Sequence, residues 1–185
     1  QLKDIGDEPE PMVQIQTNDG RWHVEDTWPP EDMTWNLADI GTDWTVTGDT
    51  VSGQGASVTL VSGELTELTH ISGLPTLHLE VTTQACQGGQ IFATLYDNED
   101  NLRLGHATMD VRYRDGGYDA KATSPFSSYT MLMEFNPLDV VVPAGHTLRI
   151  ELTENGEDYL PSPCASNPLG GLTVDGGVVG LPIID

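Results

Sequence analysis

Lysine is almost missing from this chain: Lys3 and Lys121 are the only two in 185 residues. Seven lysines and arginines stand against 29 aspartates and glutamates, for a net charge of −22. Such a surface repels phosphate backbones, which argues against any nucleic-acid-binding function. No run of 18 apolar residues occurs, which excludes a membrane-spanning helix. No helical stripe exceeds about two turns, so a helix-based architecture is excluded as well. With only two cysteines the chain is no disulfide-scaffolded miniature, and at this length a core needs no staple. There is no signal peptide, and Gln1-Leu-Lys-Asp4 is not a natural start, so the chain reads as a mature product or a fragment of something larger.

Catalytic patterns are also lacking. None of the nine serines sits in a Gly-x-Ser-x-Gly frame. His23, His70, His78, His106 and His146 are isolated from one another, with no His-Glu-x-x-His and no His-x-His. No catalytic residue and no cofactor is assigned. The charge points instead to solvent: self-repulsion destabilises the compact state at low ionic strength, and salt screens it, with a Debye length of about 3 Å at 1 M. Acid without lysine points to a halophilic, high-salt source; an ordinary acidic secreted domain is the other reading.

What is present is alternation. Leu77, Leu79 and Val81 alternate with Thr76, His78 and Glu80, the period of a strand with one buried face. Ile91, Ala93 and Leu95 alternate with Phe92, Thr94 and Tyr96, so this strand is apolar on both faces and belongs in mid-sheet. Met109, Val111 and Tyr113 give a third run, and the three together predict a meander, with a hairpin loop at 84–89. Asn18-Asp-Gly20 predicts a hairpin between residues 12–16 and 22–25. Short strands are further expected at 33–37, 44–47, 57–61, 65–71, 131–135 and 147–152, with a bend at Pro137. Residues 47–54 read as loop, and 172–174 with 178–184 as a closing hairpin across Asp175-Gly-Gly177. Many short strands at this spacing mean an all-β fold, a jelly-roll β-sandwich with about four strands per layer.

Three groups invite a functional reading. Asp97, Glu99 and Asp100 form a turn whose carboxylates would suit calcium, although the twelve-residue spacing of a calcium loop is missing. Trp22, Trp28, Trp35 and Trp44 crowd the first quarter of the chain, where they would stack on sugar, dock on a neighbouring domain, or pack in the core. Asp110, Arg112 and Arg114 are expected on one side of a strand as surface ion pairs, each contributing under about 1 kcal/mol.

Several segments, taken in order, resemble a known family. Gly20-Arg-Trp22 with Trp28-Pro-Pro30, Pro75-Thr-Leu-His-Leu79 and Gly89-Gln-Ile-Phe-Ala-Thr-Leu-Tyr-Asp97 resemble the C-terminal domain of X-Pro dipeptidyl-peptidases and of cocaine-esterase-type (CocE/NonD) hydrolases. Arg112-Tyr-Arg-Asp-Gly116, Pro137-Leu-Asp-Val-Val-Val-Pro-Ala-Gly-His146 and Leu148-Arg-Ile-Glu-Leu152 continue the likeness. The resemblance implies a galactose-binding-domain-like jelly roll at 12–185 behind a linker at 1–11. It also implies a non-catalytic accessory role, packed on the α/β-hydrolase domain that carries the Ser-His-Asp triad of a serine hydrolase. That domain is the expected partner, and oligomerisation stays open. A carbohydrate-binding module on the same fold is the alternative, because fold alone does not choose.

Counting strand reversals puts Cys86 and Cys164 at the same end of the sandwich, so a disulfide between them is expected. A bridge would place the domain outside the cytoplasm, in an extracytoplasmic or secreted location.

Overall fold

The computed structural model describes residues 13–86, 88–156 and 163–184. The expected linker at 1–11 lies outside the described residues. Apart from one 3-10 turn at Val111–Tyr113, the regular structure of the described residues is β-strand. None of their helices is long and apolar enough to cross a membrane.

The chain opens with a separate hairpin, β1 (Val13–Gln16) against β2 (Trp22–Glu25), turning at Asn18-Asp-Gly20 as its sequence predicts. There follow β3 (Thr34–Asp39), β4 (Trp44–Thr47), β5 (Thr50–Val51), β6 (Val58–Ser62), β7 (Thr69–Gly73) and β8 (Thr76–Thr83). Then come β9 (Gln90–Asp97), β10 (Leu102–Asp110), β11 (Ser128–Glu134), β12 (Leu138–Val142), β13 (Leu148–Thr153) and β14 (Leu172–Ile184). Two antiparallel sheets result. One has the order β10-β9-β13-β6-β4. The other holds seven strands but four rows. β7 and β8 both run antiparallel to β14, through Ile71 opposite Ile183 and Thr76 opposite Gly180, so they form one interrupted row. β11 and β12 form the next row against them, broken at Phe135–Pro137, and β3 with β5 lies on the far side of β14. The all-β jelly-roll sandwich read from the alternation is therefore the fold.

Period-two alternation fills the space between the sheets. Leu77, Leu79, Val81, Met131, Met133 and Val179 face Leu60, Leu95, Leu148, Ile150 and Leu152, all almost fully buried. β9 lies between β10 and β13 as expected, and its outer face is covered too. Phe92 packs beside His106 and beneath Arg103, and the Arg149 guanidinium lies 4.4 Å above the Tyr96 ring.

Four local expectations are corrected. The meander does not form: β8 belongs to one sheet and β9 with β10 to the other, so the loop at 84–89 crosses the sandwich and closes no hairpin. Each two-layer crossover reverses direction just as a hairpin would, and alternation alone does not tell them apart. The closing hairpin is one 13-residue strand, β14, with a bulge between Val174 and Gly176. Gly177 serves this bulge: at φ 151° a β-carbon there would run into the carbonyl of His78. The loop at 47–54 contains β5, because Thr50 and Val51 find free backbone partners on β14 at Thr173 and Leu172. Asp110 ends its strand: its carboxylate accepts from the backbone N–H of Arg112 at 2.8 Å and starts the 3-10 turn, so Arg112 and Arg114 leave the strand.

Cys86, between β8 and β9, and Cys164, before β14, are joined as a disulfide, with 5.9 Å between their Cα atoms. On the chain-entropy account, a bridge spanning 78 residues contributes about 4–5 kcal/mol. Replacing both cysteines by serine is expected to lower the unfolding free energy measured by urea titration by that order, and the unfolded, unreduced wild type should show no reactive thiol; two thiols per chain would contradict the bridge.

Candidate functional site

The hairpin β1–β2 lies on the outer face of the four-row sheet, beside β12. Asn18 at its turn donates to the Val141 carbonyl at 3.0 Å and accepts from the Val141 N–H at 2.8 Å, which caps an open sheet edge. Outward positions of adjacent strands meet here. Asp139 stands opposite Ser72 and Val141 opposite His70, so Asp139 and His70 are diagonal neighbours on one face. His70 Nε2 lies 2.7 Å from Asp139 Oδ1. His23, carried in by β2, places its Nε2 2.5 Å from Asp139 Oδ2. The His23 Nδ1 is 3.0 Å from Glu25 Oε1. The two imidazole rings meet edge to face with centroids 5.5 Å apart. The Asp139 side chain is 5% exposed, while the imidazoles keep about a quarter of their surface. The hydrogen bond to Asp139 raises the His23 pKa above the ordinary histidine value against the opposing effect of burial. Burial pushes the Asp139 carboxyl up, but hydrogen bonding, that of His23 foremost and with Ser72 and His70 adding to it, outweighs this and holds the group below the usual carboxylate range. A groove of about 370 Å³ opens next to the pair, lined by Arg21, Trp22, His23, Leu68 and His70 among others.

At the start of β13, His146 Nδ1 lies 2.8 Å from Asp97 Oδ1 and 3.0 Å from Oδ2. Glu99 accepts from the Thr147 N–H at 2.6 Å and from its hydroxyl at 3.0 Å. Thus, of the calcium candidates, Asp97 and Glu99 spend their oxygens tying the turn after β9 to β13, and Asp100 is exposed beside them.

The four tryptophans separate. Trp44 is 2% exposed and belongs to the core, so it neither docks nor stacks: on β4, at the sheet edge, its side chain faces inward. Trp22 is exposed at the groove, Trp35 is exposed on β3, and Trp28 lines a separate cleft with Val13, Ile15, Pro137 and Leu138. Isolation of the histidines does not hold either. His23 and His70 are 47 positions apart in the chain, yet strand pairing and hairpin docking bring them to one carboxylate. His70, on the outward face of its strand, is half-buried because the hairpin covers that face, whereas His78 is exposed. The one trace of the cluster in the sequence is that His70 and Asp139 both occupy outward positions of alternating strands.

A pleated jelly roll with this motif order has relatives. The sequence matches the X-Pro dipeptidyl-peptidase C-terminal non-catalytic domain family over residues 35–167. The chain belongs to that family. Three solved structures share the fold of this X-Pro dipeptidyl-peptidase C-terminal domain. An aminopeptidase from the marine sediment archaeon Thaumarchaeota archaeon superposes with a TM-score of 0.70 at 14% identity, over 92% of this chain and 40% of that one. A CocE/NonD family hydrolase from Staphylococcus aureus gives 0.69 at 14% identity, over 93% and 40%. An alpha-amino acid ester hydrolase gives 0.65 at 15% identity, over 98% and 42%. The domain thus spans about 40% of the length of the solved structures it matches. No curated protein matches its sequence.

The turn at β13 yields a pH test. The hydrogen bond from His146 to Asp97 raises the histidine pKa against desolvation, and the charges of Asp97, Asp100 and Glu99 add to it. A histidine with a raised folded pKa contributes stability that is complete below its unfolded value of about 6.5 and is lost as pH climbs through the folded value. In an NMR titration the ring of His146 should therefore lose its proton above the ordinary histidine value of about 6.5. Asp97→Asn should bring the His146 midpoint down toward that ordinary value; an unchanged midpoint would contradict the clamp.

Proposed function

We propose that this chain is the accessory domain of an α/β-hydrolase-type serine hydrolase that cleaves esters or peptides after proline, and that it packs on the catalytic domain. The single observation that carries this reading is the family match across residues 35–167, a family of non-catalytic domains. The fold likeness to proteins named as an aminopeptidase and as ester or CocE/NonD hydrolases supports it, since each is more than twice as long as this chain. The missing nucleophile elbow agrees with it.

The packing face we assign is the outer surface around β3. Trp35 and Leu37, 46% and 67% exposed, lie together over Gly180. Apolar exposure of this kind is what contact with another folded unit would cover. The disulfide favours an oxidising, extracytoplasmic setting. The charge of −22 favours a high-salt one.

Two measurements test the reading. The chain by itself should turn over neither a nitrophenyl ester nor a proline nitroanilide, while the coding sequence upstream of Gln1 should encode a domain with a Gly-x-Ser-x-Gly serine. Saturable turnover stopped by a serine-directed inhibitor, or an upstream region without that serine, would overturn it. For the solvent, the melting temperature should climb as KCl rises from dilute buffer to molar concentration, because screening relieves carboxylate repulsion. A flat or falling curve would remove the case for a halophilic setting.

A further inference from the structure

We propose that His23, His70 and Asp139 form a binding site for one divalent ion of the zinc class, which fastens the β1–β2 hairpin to the sandwich. The inference is independent of the hydrolase reading. Its basis is a donor set. Two imidazole nitrogens and one carboxylate oxygen, from three separate strands, lie within 4.8 Å of one another. Both histidines present Nε2, and each faces its own oxygen of the same carboxylate, at 2.5 and 2.7 Å. Two imidazoles with a carboxylate suit zinc and its neighbours in the first transition row, with the further coordination position left to water. Calcium and magnesium prefer oxygen alone and fit poorly.

The surroundings are those a metal ligand needs. Glu25 sits 3.0 Å from His23 Nδ1, where it would hold the Nδ1 proton once a metal takes Nε2 from Asp139, the carboxylate–histidine–metal relay common in zinc proteins. The Asp139 side chain keeps only 5% of its surface exposed, and a carboxylate so withdrawn from water requires a partner of opposite charge. The groove past Arg21 and Trp22 supplies a route to solvent on the histidine side. Binding opens the two short nitrogen–oxygen contacts slightly, since ligands at about 2.0–2.2 Å from one ion stand farther apart than a hydrogen-bonded pair. Any proton carried on Nε2 leaves to solvent as the metal enters, so affinity rises with pH. The group at the β13 turn differs: it offers one imidazole, already held by both oxygens of Asp97, beside exposed acid, and serves as the internal control.

The test uses the whole chain, freed of metal by chelation and titrated with zinc alone in calorimetry at mildly alkaline pH. One zinc per chain is expected, with calcium failing to compete. His23→Ala and His70→Ala should each abolish the tight site, His146→Ala should leave it intact, and Glu25→Gln should weaken it about 10- to 100-fold. Should an alanine variant fail to fold by circular dichroism, the unmutated protein still decides. Zinc should shift the ring resonances of His23 and His70, leave those of His78 and His146 in place, and slow amide exchange in β1 and β2. No saturable binding, binding that survives loss of both His23 and His70, or resonance shifts centred on His146 would each overturn the proposal.

Discussion

The ladder between β14 and β8 is the interaction on which the rest of the molecule hangs. It runs from Leu172 opposite Thr83 to Gly180 opposite Thr76, and β14 then continues to meet β7. On its other side the same strand holds β5 and β3. One strand thus carries the four-row sheet in its middle, and every other row takes its register from it. A one-residue slip here would turn Val179 and Leu181 out of the core and bring Gly180 and Pro182 in. The bulge at Val174–Gly176 absorbs the twist such a long ladder accumulates, and glycine is what lets the backbones approach there.

A second constraint is electrostatic. With seven lysines and arginines, few cations exist to hold the fold's carboxylates, and those that do act locally. Arg21 pairs with Asp19, Arg112 with Asp110, Arg149 with Glu151 and Lys121 with Asp115, all near neighbours in sequence. Arg114 also lies 4.5 Å above the ring of Tyr129, and Arg149 over that of Tyr96. Among the described residues, the ion pairs that join distant strands are made by histidine instead: His23 and His70 to Asp139, and His146 to Asp97. In a chain nearly without lysine, imidazole has taken over the cross-strand role. This couples the tertiary structure to pH near neutrality, where no ammonium or guanidinium would respond.

The two features share a place. The hairpin that covers His70 is tied to the sandwich by polar contacts, the Asn18 clip on Val141 and the His23 contact. Elsewhere the sheets hold each other by apolar burial, which is insensitive to pH. The groove beside Trp22 therefore borders a junction that charge helps to hold.

Much of the fold was legible in the chain. Alternation at 77–81, 91–95 and 131–135 located the strands and their buried faces, because a pleated strand with one dry side must alternate. The end at which each strand exits followed from counting reversals, so Cys86 and Cys164 could be paired although the meander assumed in the count does not exist; a crossover and a hairpin reverse the chain alike. The absence of a nucleophile elbow is likewise a property of the sequence alone. Which sheet each strand joins was decided only by tertiary structure, since burial on one face says nothing about which neighbour supplies the hydrogen bonds. The same holds for Trp44, whose inward orientation depends on its sheet edge, and for the double glycine after Asp175, which serves a bulge as readily as a turn. The meeting of His23, His70 and Asp139 lay furthest from view: it needs the register of β7 against β12 and the docking of a hairpin onto both, long-range contacts that no local pattern encodes.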